Sequence, residues 1–540
     1  AWIDVVEREQ TEDATTMRPI TTEDGKLSYI TALNLSSYNY LGFAESDLEM
    51  RDQVVDCMKQ YGVSSVASGT EVGRTAVVRE LEQRIAAFVG KPDAIVFGMG
   101  FATNSTTIPC LVGKGALIIS DELNHASIVI GARSSGSKIK VFKHNDPISL
   151  EQMLRTSIVE GQPRTRRPWK KIIVVVEGIY SMEGEICRLQ EIVAVCKKYK
   201  AYLYVDEAHS IGALGITGRG VLEHCKVKPE DVDVMMGTFT KSFGSVGGYI
   251  ASSKEVIAHM RRISPGSIYA CAMSPGCAMQ SSLALRMISG EDGTTKGRDK
   301  VEQLRRNSNL FRSGLERMGC EVIGDRDSPV VPVMLYNPAK MPAFSRQCLE
   351  RKLAIVIVGF PATPVIKSRV RFCISAAHSE SDLISALRAI SEVADQVMIK
   401  YKWNGRPNVI ASAEVAKQSR HPQLLNVVGC WEATHFAWKD TLTIEANGRF
   451  ARGNGDEGCW NIQERDGRTL LRLEWDRWPT EELELQPEEG TQSPVIKAAD
   501  ISPGAPPSPR RHVFRGTGNI IISAGTPCPG TLHAKFTLRP

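Results

Sequence analysis

The sequence predicts an α/β protein with a large, mainly parallel sheet domain, a small α+β domain and a small antiparallel β domain near the carboxyl terminus. Up to about residue 285, short apolar runs alternate with helical stretches, which is typical of a parallel sheet covered by helices. Beyond residue 401, short runs of alternating polarity are separated by Asn-Gly and Asp-Gly pairs, which are preferred hairpin turns. These two patterns set the fold class and the main domain borders.

The large domain is predicted for residues 71–285, after an N-terminal arm of residues 1–70. Apolar runs indicate its strands, at Ala94–Phe97, Ala116–Ile119, Lys140–Phe142, Ile172–Val176, Ala201–Val205, Val232–Met236 and Tyr249–Ala251. Between these runs, apolar residues recur at helical spacing, as at Ile192, Val193 and Cys196. Strands and helices are therefore expected to alternate along this domain.

The small α+β domain is predicted for residues 286–401. Its expected elements are the strands Val330–Leu335, Ala354–Val358 and Arg369–Ile374 and the helices Lys300–Met318 and Ser379–Val397. From residue 301 onward the pattern changes, and this alternation of helices with strands is expected of a separate α+β domain.

Residues 426–485 are predicted to form the accessory β domain, which a linker of residues 402–425 connects to the small domain. Most of the tryptophans of the chain lie there, and aromatic residues are enriched at binding surfaces as well as in cores. Two interpretations stay open: an interaction module, or an extension whose tryptophans are all buried. Residues 486–540 are rich in proline and are predicted to be disordered, although the apolar run Asn519–Ser523 also fits a strand.

The composition excludes several classes of protein. The chain has 540 residues, of which 42% are hydrophobic and 24% charged, as in ordinary globular proteins. Its net charge of +5 is small for this length, so no nucleic-acid partner is expected. The 13 cysteines are odd in number and form no CxxC pair, which favours reduced thiols, and no metal site is expected. No apolar run approaches the roughly 18 residues of a membrane-spanning helix.

A lysine and an aspartate carry the main chemical signal. Lys241 lies in the run Gly237–Gly244, and Asp206 opens an Asp-Glu-Ala-His sequence upstream of it. A lysine that can form a Schiff base and an aspartate that can hold a pyridinium nitrogen are the minimal equipment of a pyridoxal-phosphate enzyme. The sequence Asp-Glu-Ala-His also occurs in helicases, but these need a phosphate loop that ends in Gly-Lys-Ser or Gly-Lys-Thr, and this sequence has none.

Several motifs follow in order along much of the chain: Gly98–Asn104, Ser120–Ser127, Glu177–Gly184, Asp206–His209, Gly237–Gly244 and Arg369–His378. Together they resemble the α-oxoamine synthases, which condense an amino acid with an acyl-CoA. Within that family the chain is most similar to the lysine-bearing subunits of eukaryotic serine palmitoyltransferases, because of Gln162–Lys171, Gly359–Pro364 and the Thr-Phe-Thr-Lys form of the lysine loop. The resemblance implies fold-type I, with pyridoxal 5'-phosphate as cofactor.

The resemblance also implies a role for each residue around the cofactor ring. Lys241 would hold the cofactor and later take the Cα proton of the substrate, and Asp206 would keep the pyridine nitrogen protonated. His209 would reach the phenolic oxygen, and Ser181 would add a hydrogen bond nearby. His125 would stack on the ring, and one of its nitrogens could meet the substrate carboxylate. The alternatives are a capping acid for Asp206, a core histidine for His209 and a solvated loop histidine for His125.

The phosphate of the cofactor needs backbone N–H groups at the start of a helix, where the helix dipole favours an anion. The run Gly98–Asn104 follows a predicted strand and opens a helical stretch, so the N–H groups of Gly100 and Phe101 are suitable donors. Thr238 and Thr240 can add hydroxyl groups from the lysine loop. A pair of glycines alone is a weak signal, and its position in the order of motifs strengthens it.

The substrate carboxylate is expected to bind an arginine near the carboxyl end of the small domain. Arg371 matches the carboxylate-binding arginine of the family, and a planar guanidinium suits bidentate recognition of a carboxylate. Arg369 is the second choice, because residues two apart on a strand point to the same face. Either arginine would accept any amino acid, so neither selects serine.

The resemblance implies that the protein condenses L-serine with palmitoyl-CoA, with decarboxylation, to give 3-ketosphinganine in the first step of sphingolipid synthesis. Two alternatives stay open: an α-oxoamine synthase that uses glycine or alanine, and a non-catalytic subunit of the same complex. Lys241 favours the catalytic subunit, because the non-catalytic partner of the eukaryotic enzyme lacks that lysine.

The resemblance further implies a heterodimer with a lysine-lacking homologous subunit, at the cytosolic face of the endoplasmic reticulum membrane. The chain begins with Ala1, so we expect it to be a fragment whose native start, with the N-terminal membrane segment of the resembled subunits, is missing. Membrane association would then come from that segment or from partners. Trp2–Val6 is interpreted as an amphipathic continuation of that membrane segment or as a plain surface helix.

Overall fold

The computed structural model describes residues 1–6, 8–10, 17–19, 26–45 and 48–401, together with nine strands between residues 429 and 535. The chain divides into two compact units, residues 1–408 and 409–540. The predicted linker 402–425 lies outside the described residues.

The first unit is built of strands and helices in mixed order. Its strands are β1 (Trp2–Val6), β2 (Arg8–Gln10), β3 (Met17–Pro19), β4 (Tyr29–Asn34), β5 (Asp93–Phe97), β6 (Leu117–Asp121), β7 (Lys138–Phe142), β8 (Ile172–Glu177), β9 (Tyr202–Asp206), β10 (Val234–Thr238), β11 (Gly248–Ser252), β12 (Val330–Tyr336), β13 (Leu353–Ala354), β14 (Val356–Val358) and β15 (Ser368–Cys373). Its helices are α1 (Leu48–Tyr61), α2 (Ala76–Phe88), α3 (Gly100–Leu111), α4 (Ala126–Ser134), α5 (Pro147–Glu160), α6 (Leu189–Tyr199), α7 (Val221–His224), α8 (Lys254–Ile263), α9 (Pro265–Ile268), α10 (Pro275–Ser289), α11 (Lys296–Arg317), α12 (Lys340–Glu350) and α13 (Glu380–Gln396), with 3₁₀ turns at Pro229–Asp231 and Val365–Lys367.

A seven-stranded sheet in the order β5-β11-β10-β9-β8-β6-β7 forms the centre of the first unit. Its strands pair in parallel except for β11, which is antiparallel to both of its neighbours. Every residue of β6, β10 and β11 is buried, as expected where helices cover both faces of a sheet. The predicted α/β fold class is confirmed.

Alternate residues of one strand pack into the cores on the two faces of this sheet. On β8, Val174 and Val176 join the core beneath α2, α5 and α6, whereas Ile173 and Val175 join the core beneath α3, α4 and α8. The period of two along a strand places successive side chains on opposite faces, so both faces are apolar. The sheet is thereby held between two layers of helices.

Two three-stranded sheets and the two-stranded sheet β2-β3 complete the described part of the first unit. Strands β12, β15 and β14 form an antiparallel sheet with β15 in the middle, and Phe372 of β15 packs edge-on against Phe311 of α11 at 5.2 Å between ring centroids. The second sheet has the order β1-β4-β13. The helix expected at Trp2–Val6 is therefore wrong: the β-branched residues Ile3, Val5 and Val6 favour an extended chain, which pairs with β4.

The second unit contains the strands β16 (Gly429–His435), β17 (Trp438–Ile444), β18 (Arg449–Arg452), β19 (Glu457–Arg465), β20 (Arg468–Trp475), β21 (Glu481–Pro487), β22 (Pro494–Ala498), β23 (Asn519–Ala524) and β24 (Thr531–Lys535). They form one antiparallel sheet in the order β22-β21-β20-β19-β18-β17-β16-β23-β24. The last three strands depart from the disorder expected for residues 486–540. The apolar β-branched residues of β22 and β23 suit a strand despite the prolines around them.

Among the helices of the described residues, none is both long and apolar enough to cross a membrane.

The packing of Gly237 on β10 yields a stability prediction. A Cβ atom there would lie 2.4 Å from the Tyr249 ring of the adjacent strand, so we expect Gly237→Ala to lower the free energy of unfolding by about 1–3 kcal/mol through overpacking. Gly113→Ala is the matched control, because its nearest neighbour would lie at 3.9 Å. Chemical denaturation measures both variants, and equal stability of the two would contradict this account of β10.

Candidate active site

The candidate site lies at the carboxyl edge of the central sheet. Glu177, Asp206 and Thr238 are the last residues of β8, β9 and β10, which are adjacent parallel strands and therefore end at the same edge. Helices α3 and α4 begin at this edge, after β5 and β6. Ligands of open α/β sheets bind at the carboxyl ends of the strands, so this edge is where the predicted residues would meet a cofactor.

The Asp206 carboxylate is buried, with 3% of the residue exposed. Oδ1 accepts a hydrogen bond from the Ala208 N–H at 2.9 Å, and Oδ2 accepts one from Asn104 Nδ2 at 2.7 Å. Each carboxylate oxygen has two acceptor sites, so capacity for a further donor remains.

Lys241 follows β10 in the turn that leads to β11, and its side chain is half-buried. Its ammonium lies 5.3 Å from the centroid of the Tyr38 ring. Burial lowers the pKa of Lys241 to about 8; the neighbouring Arg371 acts in the same direction, and the carboxylates of Asp206 and Glu177 oppose it. This amine is therefore neutral in a larger fraction of molecules at neutral pH than an ordinary lysine amine.

His209 is buried and held by two tyrosines. Its Nδ1 atom lies 2.7 Å from the Tyr40 hydroxyl, and the Tyr38 ring packs edge-on against the imidazole at 5.2 Å between centroids. Burial lowers the pKa of His209 well below its ordinary value, and the cations Lys241 and Arg371 add to the effect. The imidazole is therefore neutral at physiological pH.

His125 stands at the N-cap of α4. Its Nδ1 atom accepts a hydrogen bond from the Ser127 N–H at 3.2 Å and lies 2.7 Å from Ser127 Oγ. His125 is exposed, and the rings of Phe101 and His125 pack in a T-shaped arrangement with 6.0 Å between their centroids. Partial desolvation and the nearby Lys241 lower the pKa of His125.

The start of α3 meets the lysine loop closely. A Cβ atom on Gly100 would lie 2.8 Å from Thr238 Oγ1, so only glycine allows the first turn of the helix to approach this hydroxyl. Thr238 Oγ1 and Thr240 Oγ1 are 2.8 Å apart, and the Thr240 side chain is exposed. The N–H groups of a first helical turn have no intrahelical partner, so those of Gly100 and Phe101 are suited to a phosphate. Of the two predicted hydroxyls, that of Thr238 donates to the Gly247 carbonyl at 2.8 Å, and that of Thr240 lies beside it.

Ser181 is buried in the turn after β8, and a charged cluster beneath supports this turn. His144 Nδ1 lies 2.7 Å from Asp121 Oδ1, His144 Nε2 lies 3.3 Å from Glu185 Oε2, and the imidazole packs edge-on against Tyr180 at 4.3 Å. Burial disfavours the imidazolium, but the two carboxylates outweigh it and raise the pKa of His144 to about 10. The turn is thereby tied to the end of β6.

The two predicted arginines of β15 have different surroundings. The Arg371 guanidinium lies 4.7 Å from the centroid of the Tyr38 ring, and its buried Nε atom has no hydrogen-bond partner among the described residues. Arg369 Nη1 donates to the Met182 carbonyl at 2.8 Å and forms an ion pair with Glu183 at 3.2 Å. Arg371 therefore retains an unused donor next to the site, whereas Arg369 is engaged by the turn that carries Ser181.

Residues that sequence reasoning did not single out surround the predicted ones. Tyr38 and Tyr40 reach the site from the segment between β4 and α1. Asn104 bonds to Asp206 from α3, and Glu177, opposite Asp206 on β8, accepts a hydrogen bond from the His125 N–H. Burial and the neighbouring Asp206 raise the pKa of Glu177 well above its ordinary value. Of these residues, Asn104 and Glu177 lie within motifs that the sequence marked, and the two tyrosines gave no local signal.

Within the described part of the chain, no group of three or more His, Cys, Asp or Glu side chains is arranged to hold a metal ion.

Comparison with known proteins identifies the class to which this fold and site belong. The family model of aminotransferases of class I and II matches residues 30–390. A structure of SPT with a pyridoxal-phosphate internal aldimine superimposes with a TM-score of 0.64 and 29% identity, covering 69% of this chain and 90% of that one. The chain therefore has the fold of a pyridoxal-phosphate enzyme of this class.

Two relatives give the particular family. Long chain base biosynthesis protein 2d of Oryza sativa subsp. japonica is 59% identical over 401 residues, which are 74% of this chain and 81% of the relative. Serine palmitoyltransferase 2 of Dictyostelium discoideum is 53% identical over 401 residues, with the same two shares. The chain belongs to the serine palmitoyltransferase family, as its motifs predicted.

The Asp121–His144–Glu185 cluster yields a pH prediction. The pKa of folded His144, about 10, lies above its ordinary value of 6.5, so the stability from its charge is fully present below about pH 6.5 and is lost as the pH rises toward 10. We expect His144→Gln to cost about 1.5–3 kcal/mol at pH 6, the range for a hydrogen bond to a charged group.

This difference between wild type and His144→Gln should shrink as denaturation is repeated at increasing pH up to 10. His224→Gln, at an exposed histidine, serves as the control and should leave stability unchanged. A His144→Gln deficit that stays constant with pH would contradict the assignment of charge to His144.

Proposed function

We propose that the chain is the lysine-bearing, catalytic subunit of a serine palmitoyltransferase. It would condense L-serine with palmitoyl-CoA and release CoA and CO₂, giving 3-ketosphinganine. The observation that carries this proposal is the Lys241 amine, with a pKa of about 8, at the same edge of the sheet as the buried Asp206. A lysine at this edge can form a Schiff base with the cofactor, and a lysine-lacking subunit cannot.

The donors at the site fit pyridoxal phosphate in kind. The first turn of α3, at Gly100 and Phe101, would hold the phosphate with the hydroxyls of Thr238 and Thr240. These groups are neutral, and the anion would be favoured by the helix dipole.

The ring of the cofactor would lie among four polar side chains. The remaining acceptor capacity of Asp206 would take the N–H of the pyridinium, because an ionised carboxylate is an acceptor only. His209 and Ser181 would provide hydrogen bonds on the phenolic side. His125 would cover a face of the ring from the start of α4. Each of these side chains borders the carboxyl edge of the sheet, which supports a shared ligand.

Lys241 would act as the base. When bound, the cofactor supplies a protonated pyridine ring that accepts the electron pair released as the substrate loses its Cα proton. Lys241 takes this proton, because only a neutral amine is a base and the lowered pKa increases the neutral fraction. Asp206 keeps the ring protonated through its buried negative charge, whose interaction is strong away from water.

Arg371 would bind the carboxylate of the amino acid. Its Nε atom is buried without a hydrogen-bond partner among the described residues, which is costly unless a ligand completes it. Its guanidinium is held against Tyr38, the ring that also faces the Lys241 ammonium. A substrate carboxylate at Arg371 would therefore bring the Cα atom toward Lys241.

A second, homologous chain would complete the site. The exposed side chains of Val66, Val72 and Tyr269 lie on two segments that are joined by the isolated bridge between Ser68 and Cys271. The second of these segments lies next to Gly98, two residues before the start of α3. Each of the three is more than 80% exposed, and monomeric proteins rarely expose large contiguous apolar patches. We propose that a lysine-lacking homologue covers this surface, and that the assembly acts at the cytosolic face of the endoplasmic reticulum membrane.

The function is tested by a product assay. The chain is co-expressed with a lysine-lacking homologue, purified with pyridoxal phosphate and supplied with serine, alanine or glycine and with acyl-CoAs of several lengths. We expect a serine-dependent and palmitoyl-CoA-dependent release of CoA and CO₂. Condensation of glycine or alanine in preference to serine would instead identify another α-oxoamine synthase.

The chain without its partner is the second arm of this assay, and we expect it to retain less than about a tenth of the activity, the effect of losing about 1.4 kcal/mol of transition-state stabilisation. Full turnover by the isolated monomer would contradict the proposed partner. Fractionation of microsomes from the same cells tests the proposed membrane location. Recovery of the assembly in the soluble fraction would contradict it.

The role of Lys241 predicts where the cofactor becomes attached. After borohydride reduction and denaturation, we expect pyridoxal phosphate to remain bound to the wild type, on the peptide that contains Lys241, and to be lost from Lys241→Ala. Lys91→Met is the matched control, because burial lowers the pKa of Lys91 as well. Attachment that persists in Lys241→Ala would remove the basis of the proposal.

The different surroundings of the two arginines predict different kinetics. Arg371→Lys should raise KM for serine by about 10- to 100-fold, because the planar fork is replaced by a point charge, and a charge-assisted bidentate contact is worth about 1.5–3 kcal/mol. Arg369→Lys should affect mainly stability, because this arginine bonds to Met182 and Glu183. A larger effect of Arg369→Lys on KM would reverse the assignment.

A further inference from the structure

A continuous chain of hydrogen bonds joins Tyr204, Asn104, Asp206, Ser127 and His125. Tyr204 donates from its hydroxyl to Asn104 Oδ1 at 2.7 Å. Asn104 Nδ2 donates to Asp206 Oδ2 at 2.7 Å and to Ser127 Oγ at 3.0 Å. Ser127 Oγ in turn lies 2.7 Å from His125 Nδ1. These hydrogen bonds thus connect Asp206 with His125, the two residues that flank the proposed cofactor site.

Strand β9 and helices α3 and α4 place the members of this hydrogen-bond chain next to each other. Tyr204 and Asp206 are two residues apart on β9, so their side chains leave the same face, which α3 covers. Asn104 lies on the buried side of α3 and is 1% exposed, and Ser127, in the first turn of α4, is also 1% exposed. None of these groups can exchange its partner for water.

The orientation of the Asn104 amide follows from its neighbours. An ionised carboxylate only accepts hydrogen bonds, so the group facing Asp206 must be the NH₂ of Asn104. The opposite orientation would set two acceptors 2.7 Å apart and would deprive the Tyr204 hydroxyl of its acceptor. The second N–H of the amide is then directed to Ser127 Oγ.

The proton of His125 follows from the same chain. Ser127 Oγ accepts from Asn104, so its own O–H is free to donate to His125 Nδ1. The Ser127 backbone N–H also donates to Nδ1, which therefore carries no proton. A neutral imidazole with a bare Nδ1 has its hydrogen on Nε2. The lowered pKa of His125 agrees with a neutral ring.

We propose that Asn104 is a positioning residue that ties the charge of Asp206 to the tautomer of His125, through Ser127, and so presents His125 as an Nε2–H donor to the substrate. The inference rests on the proposed function for the identity of that substrate, but the tautomer itself does not depend on it. A negatively charged Asp206 orients Asn104, Asn104 orients Ser127, and Ser127 fixes the proton of His125.

A double-mutant cycle tests the link in the co-expressed, full-length enzyme. Ser127→Ala should lower kcat/KM for serine by about 10-fold while changing the Kd of pyridoxal phosphate by less than about 2-fold, because the bond from Asn104 to Asp206 remains. Asn104→Ala should lower kcat/KM by about 100-fold and raise the Kd of pyridoxal phosphate by about 10-fold. The double variant should be no worse than Asn104→Ala, because the two residues act in one chain.

If the double variant loses kcat/KM by the product of the two single fold-changes, the proposal is overturned, because the free-energy effects of independent residues add. Thr106→Ala is the matched control on α3, because this hydroxyl bonds only within its own helix, to the Ala102 carbonyl at 2.7 Å. Should Asn104→Ala fail to fold, Tyr204→Phe replaces it: it removes the hydroxyl that bonds to Asn104 Oδ1, so the amide is held less firmly toward Ser127, although its NH₂ still faces Asp206. It should then lower kcat/KM by several-fold in wild type and not at all in Ser127→Ala.

The tautomer is measured independently of activity. Nitrogen NMR of histidine-labelled protein distinguishes a bare imidazole nitrogen from a protonated one, and the signal that is lost in His125→Gln belongs to His125. We expect a bare Nδ1 in the wild type and a mixture of tautomers in Asn104→Ala. A proton on Nδ1 of the wild type would refute the proposal, even if the enzyme condenses serine. If Nδ1 of His125 is bare as expected but the enzyme does not use serine, only the proposed substrate is refuted.

Discussion

The parallel pairing of β8, β9 and β10 is the constraint on which the rest of the site depends. It brings Glu177, Asp206 and Thr238 to one edge of the sheet, although they are far apart in sequence. The helices that follow β5 and β6 begin at the same edge, which adds a helix N-terminus for an anion and His125 as an N-cap. The charged groups of the site thus lie together at the carboxyl edge of a sheet whose two faces are covered by apolar cores.

Burial is the main electrostatic influence on this edge. It lowers the pKa of Lys241, which favours the neutral amine, and it raises the pKa of Glu177, which favours the neutral acid. Asp206 differs from Glu177 in having an amide donor from Asn104 in addition to a backbone N–H. Hydrogen-bond donors stabilise a carboxylate, so the Asn104 amide distinguishes the surroundings of Asp206 from those of Glu177.

Tyr38 joins the two parts of the first unit at the site. Its ring faces the Lys241 ammonium of the large sheet at 5.3 Å and the Arg371 guanidinium of β15 at 4.7 Å, and its edge packs against His209. Both cations approach the negative face of an aromatic ring, which offsets part of their desolvation. Lys241 and Arg371 therefore both pack against Tyr38, so a displacement of either sheet would shift the position of both cations.

The sequence by itself determined the α/β fold, the strands of the central sheet and the family, because apolar periodicity and short motifs are local properties of the chain. It also marked Lys241, Asp206, His125 and His209, each of which lies in such a motif. It did not determine that Arg369 is engaged by Glu183 while Arg371 keeps a free donor, because their spacing puts both on one face of β15. It gave the strand at Asn519–Ser523 only as an alternative to disorder and did not indicate β22 and β24, because their pairing with β21 and β23 is not a local property of the sequence. The Asn104 amide and the tyrosines Tyr38 and Tyr40 acquire their roles only from side chains distant in sequence, so tertiary packing alone decided them.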